Sequence, residues 1–94
     1  MPFTIITTAN ARRDIENAIE WENERKPGLG RGFLKDLDKK LTAVSITPGT
    51  GSIRYDNVRC TVTKVFSYII HYIVVDALKQ IIVLRVLHSS RRPL

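Results

Sequence analysis

Cysteine occurs once, at Cys60, so no internal disulfide can form and a disulfide-stapled secreted scaffold is excluded. Histidine occurs twice, at His71 and His88. With Cys60 these are too few ligands for a common structural zinc site, and neither a metal nor a cofactor is expected. Long apolar runs are missing as well. The longest, Tyr68 to Val75, is interrupted by His71 and falls far short of the ~20 residues that span a bilayer. The opening MPFTIITTANARRD has no charged region ahead of an apolar stretch, so it does not read as a signal peptide. The expected compartment is the cytoplasm, with no membrane partner.

Acidic residues are scarce in one half only. Residues 1–49 carry eight Lys/Arg against seven Asp/Glu, whereas residues 50–94 carry seven against two. Most of the net charge of +6 therefore sits in the second half, which predicts a surface that seeks an anion: an acidic protein, nucleic acid, or both. Ninety-four residues suffice for one domain, 1–94, and a chain this short buries only roughly 60–65% of its unfolded surface.

The β-branched stretch Phe3 to Thr7 reads as a strand, and Thr8 as the N-cap of a helix over residues 9–24. In that helix Ala11, Ile15, Ala18 and Ile19 form an apolar stripe with Trp21 on its flank. Asp14, Glu16, Glu20, Glu22 and Glu24 are assigned to a solvated face. Lys26-Pro27-Gly28-Leu29-Gly30 breaks the helix. A second helix follows, from residue 29 or 31 to Val44, with Leu29, Phe33, Leu34, Leu37, Leu41 and Val44 as its stripe. So short a connection folds the two helices into an antiparallel hairpin.

Residues 54–57 read as a short extended piece. Val58 to Phe66 alternates, with Val58, Cys60 and Val62 on one side and Arg59, Thr61 and Thr63 on the other. Cys60 is assigned to the core, and Arg59 to the open face with the two threonines. Tyr68 to Val75 is apolar on both faces, as in a central strand, and Gln80 to Leu87 is a further strand. The tail, residues 88–94, is expected to be basic and mobile. The predicted architecture is α+β, in the order β-α-α-β-β-β, with a helical hairpin packed on a twisted, largely antiparallel sheet.

The segments ARRDIENAIEW, KPGLGRGFLKDL, IRYDNVR, FSYIIHYIV and VLHSSRRP, in that order, resemble the RelE/ParE toxin superfamily, most closely its ParE-like plasmid stabilization members. The resemblance implies the toxin of a type II toxin–antitoxin module, neutralised by a cognate acidic antitoxin in a hetero-oligomer. ParE-like members are described as poisons of DNA gyrase, RelE-like members as ribosome-dependent mRNA endonucleases. RelE-like enzymes typically carry an arginine in the central strand where this chain has Ile69, and an aliphatic side chain cannot stabilise a transferring phosphoryl group. The ParE-like reading, protein–protein interaction without enzymatic activity, is therefore preferred. His88 matches a C-terminal histidine of some nuclease members, and it is the catalytic candidate only in the alternative, ribosome/mRNA reading.

The binding set is Arg54, Arg59, Lys64, Arg85, Arg91 and Arg92. Arg85 interrupts the apolar run IIVLRVL, so its guanidinium must reach solvent or an acidic partner. His71 reads as a hydrogen-bonded packing residue.

Overall fold

The computed structural model describes residues 2–90. Strand β1 (Thr4–Thr7) leads into α1 (Ala9–Arg25), whose first turn is capped by Thr8: its hydroxyl accepts the Ala11 N–H at 3.1 Å. Pro27 blocks continuation, and Gly28 adopts a left-handed conformation with φ of 96° that reverses the chain into α2 (Leu29–Ile46). The hairpin closes tightly at Gly30. Its N–H donates to Asn23 Oδ1 at 2.9 Å, and a Cβ at this position would lie only 2.8 Å from Asn23 and 2.9 Å from Ile19. A larger residue at position 30 forces the Asn23 and Ile19 side chains to shift and disturbs the Asn23 hydrogen bond.

Four strands follow: β2 (Ser52–Tyr55), β3 (Val58–Val62), β4 (Tyr68–Val75) and β5 (Gln80–His88). The sheet order is β1-β5-β4-β3-β2, with β1 parallel to β5 and every other pair antiparallel. The doubly apolar segment is thus central, as its pattern predicts, and the α+β order holds. Both helices cover one face of the sheet. Phe33, Leu37 and Val44 of α2 meet Tyr68, Ile70 and Tyr72 of β4, with the Phe33 and Tyr68 rings 4.6 Å apart. Leu37 is only 4% exposed, so the phase of α2 is as predicted, although Leu34 turns outward.

Buried polar groups lock the layers together. The Asp36 carboxylate of α2 accepts the Val65 and Phe66 N–H groups at 3.0 and 2.7 Å, pinning the β3–β4 turn to the helix. The Tyr72 hydroxyl donates to Pro48 O and accepts the Gly51 N–H, each at 2.8 Å. Satisfying such groups is what makes their burial tolerable.

Several assignments change. Strand β3 ends at Val62, and residues 64–66 form the turn held by Asp36. The alternation of β3 is as read, and Val58 and Cys60 are buried, at 7% and 9% exposure. The face differs: Cys60 pairs with His71 and Arg59 with Tyr72, so Cys60 lies on the side without helices and the half-buried Arg59 and Thr61 on the helix side. A period of two cannot say which face meets the helices, and Arg59 there donates to Gly51 O at 2.7 Å. Glu22 is not solvated: it is 1% exposed and accepts hydrogen bonds from Tyr68 and Arg25 at 2.8 and 2.7 Å. His88 belongs to β5 rather than to a tail. Residues 91–94, including Arg91 and Arg92, lie outside the described residues.

Candidate functional site

Among the described residues no helix or strand covers the face of the sheet away from α1 and α2, and that face is largely apolar. Ile69 and Ile73 of β4 pair there with Leu87 and Ile82 of β5, all four partly exposed, and Val62 of β3 is 44% exposed beside Ile69. A partly exposed apolar sheet face of this kind suits a protein partner. His71 stands at the middle of this face.

A β-bulge in β5 shapes the polar part of the site. His71 pairs with Arg85 and Tyr72 with Val83, so Leu84 is the extra residue. The bulge keeps Val83 and Val86 in the core and brings Arg85 beside His71. The required acidic partner of Arg85 proves to be internal. Its Nε and Nη2 donate to the two oxygens of Asp14 at 2.7 and 3.1 Å, and Asp14 also accepts the Val86 N–H at 3.0 Å. Asp14 thus leaves the solvated helix face to cap a stretch of β5 beyond the end of β1. The hydrogen bond to Asp14 raises the Arg85 pKa further, so its charge is fixed.

Opposite Arg85 stands β2, the edge strand, with all four residues exposed. Arg54 and Tyr55 of β2 join Cys60, Val62, Ile69 and His71 around a pocket of about 260 Å³. The Tyr55 hydroxyl and the Cys60 thiol lie 3.3 and 3.4 Å from His71 Nδ1, so the tautomer protonated at Nε2 accepts from both. Burial lowers the His71 pKa, as do the neighbouring Arg85 and Arg54, with Asp14 opposing. The shift favours the neutral ring as acceptor, in keeping with its reading as a hydrogen-bonded packing residue. Burial raises the Cys60 pKa, with a smaller opposing effect of Arg54, and this keeps the thiol protonated and unreactive.

The predicted basic set is divided by the fold. Arg54 lines the open-face pocket, and Arg85 stands beside His71 on β5. Arg59 is tied to Gly51 on the helix side. Lys64 joins Lys39 and Lys40 beside α2. His88 pairs with Tyr68, whose ring it meets edge-on at 5.0 Å, and its Nδ1 is engaged by Ser90 at 3.1 Å. It therefore lies on the helix side, away from Arg54 and Arg85. Among the described residues no cluster of ligands that could hold a metal is found, and no helix is long and apolar enough to cross a membrane.

Sequence reasoning missed Tyr55, Asp14 and Lys39/Lys40 as members of these sites. The need of Arg85 for an acid was legible, but which acid was not, because Asp14 is distant in sequence. The inward turn of Glu22 had a signal: with Ala11, Ile15 and Ala18 it completes the i, i+4, i+7, i+11 stripe.

Three solved structures share the fold. The chromosomal ParDE toxin–antitoxin system of P. aeruginosa superposes with a TM-score of 0.78 at 14% identity, over 92% of this chain and 95% of that one. A chain of the intact E. coli RelBE toxin–antitoxin complex gives 0.70 at 20% identity, covering 95% and 99%. A chain of the Mycobacterium tuberculosis RelBE2 complex gives 0.63 at 20% identity, covering 95% and 100%. No curated protein sequence matches. The model of the family described as "ParE toxin of type II toxin-antitoxin system, parDE" matches residues 5–93, nearly the full chain, and the protein belongs to that toxin family.

Proposed function

We propose that this toxin acts by binding: to an acidic antitoxin segment in its neutral state, and to DNA gyrase, in the cytoplasm, when free. The observation that carries the reading is the open apolar face, bordered by an edge strand on which Arg54 makes no ion pair among the described residues. An extended peptide can add to the outer edge of β2 through backbone hydrogen bonds and set acidic side chains against Arg54, while a continuing segment of the same partner crosses onto the apolar face. The structurally similar ParDE and RelBE proteins are toxin–antitoxin systems, which supports an antitoxin as the occupant. Arg91 and Arg92 extend the basic set along the chain; Arg59 and Lys64, held elsewhere, contribute to the long-range field more than to contact.

Cleavage of mRNA is disfavoured on two grounds. Ile69 stands in the central strand where RelE-like enzymes typically carry an arginine, and an aliphatic side chain cannot stabilise a transferring phosphoryl group. His88, the acid–base candidate, lies on the helix side of the sheet, opposite the face that carries Arg54 and Arg85, so it does not share a site with those two guanidinium groups. In a translating extract, primer extension is expected to find no cleavage at ribosomal A-site codons above background. His88→Ala is expected to remain as toxic as the parent. A-site cleavage that disappears in His88→Ala would install the endonuclease reading instead.

A further inference from the structure

The basic set splits into two groups, and the second lies in the helix layer. The β3–β4 turn, held against α2 by Asp36, forms a groove of about 300 Å³ lined by Lys39, Lys40, Lys64, Ala43, Val65 and Asp36. The Asp36 oxygen in this groove is engaged by two backbone N–H groups. None of the three lysines forms an ion pair among the described residues. We propose that this flank of α2 binds the phosphate backbone of a nucleic acid through Lys39, Lys40 and Lys64.

Three features select a polyphosphate. Arg31 and Lys35 are exposed and precede Lys39 at four-residue steps, each a rise of about 6 Å along the helix. They extend the groove into a predominantly basic stripe along α2, with the exposed Asp38 beside it, longer than a single small anion needs. The neighbouring α1 exposes Glu16, Glu20 and Glu24, also at four-residue spacing. Those carboxylates repel a polyanion spread over the hairpin and confine it to the α2 flank next to the turn. Phosphate binding draws on counterion release and needs no apolar area. Lysine, a point charge on a flexible stem, suits phosphate oxygens without bidentate geometry. The inference does not rest on the antitoxin reading, which concerns the open face, and either can fail without the other.

The test is fluorescence anisotropy of the full-length protein with a labelled mixed-sequence DNA duplex and, separately, a labelled RNA hairpin. Binding to at least one is expected, weakening as salt rises, and the two arms assign the source of the phosphates. Triple reversal Lys39→Glu, Lys40→Glu, Lys64→Glu is expected to weaken it at least about tenfold at low salt. A reversal of equal charge on α1 and its C-cap, Arg12→Glu, Arg13→Glu, Lys26→Glu, is expected to weaken it clearly less. Should the first triple variant unfold, the three Lys→Gln changes carry the test: each lysine removed should flatten the log–log salt slope by about 0.9 for duplex DNA. No binding to either probe at low salt overturns the proposal. So does equal weakening by the two triple reversals, or a poly-glutamate peptide that binds more tightly than both nucleic acids.

Discussion

Arg54→Glu is expected to slow association with the acidic antitoxin segment by roughly tenfold at low salt, an effect typical of a reversed charge at a steered interface. The choice of residue follows from the structure. From the sequence, Arg59 and Arg85 are equally attractive as selectors of acidic side chains. Arg59 is already held by Gly51 O, and Arg85 is bound through two hydrogen bonds to Asp14. Reversing Arg85 would set two carboxylates side by side at the β5 edge and disturb the fold before it tested an interface. Arg54 is exposed, sits on the edge strand and borders the open-face pocket. Stopped-flow mixing gives the rate directly, and the parent's on-rate should fall as salt rises to physiological strength, because screening shortens the reach of the field. An association rate indifferent both to salt and to Arg54→Glu would mean that the open face is recognised through apolar contact without steering.

Leu37→Ala is expected to lower the free energy of unfolding by about 2–5 kcal/mol, the usual range for truncating a buried leucine. Leu37 is nearly inaccessible and lies in the layer where α2 meets the sheet, among Phe33, Val44 and the β4 tyrosines. A domain of this size holds only about 5–15 kcal/mol in all, so the variant should unfold at markedly lower urea and temperature. The effect should be larger than for Leu34→Ala, since Leu34 is 41% exposed although it lies in the same predicted stripe. Equal stability of Leu37→Ala and the parent in urea titration would contradict the packing of α2 on the sheet.

The contrast between those two leucines shows where the sequence is legible. Element order follows from periodicity and punctuation: the Pro27-Gly28 break, the β-branched runs and the doubly apolar β4 each have a local cause. The Thr8 cap is local too. Facing is a tertiary property. In β3 both sets of alternating residues are small or polar enough for either side, and only pairing with β4 decides between them. The same holds for charge. The positive half of the chain is plain in composition, yet the fold sends Arg54 and Arg85 to the open face, Arg59 to the margin and Lys64 to the helix layer. Asp14 and Asp36 are ordinary helix acids in one dimension. They become structural when the backbone N–H groups they accept, that of Val86 within β5 and those of Val65 and Phe66 in the β3–β4 turn, arrive more than twenty residues later in the chain. No local pattern encodes that arrival. The bulge at Leu84 is likewise invisible in IIVLRVL, since the run satisfies a regular strand equally well.

The proposed binding to gyrase, without cutting of RNA, is tested by a gyrase supercoiling assay with the purified full-length protein, with and without its antitoxin. Dose-dependent loss of supercoiling, relieved by stoichiometric antitoxin and undiminished in His88→Ala, is the predicted result. Supercoiling that stays unaffected by the same preparation that arrests translation would contradict the account.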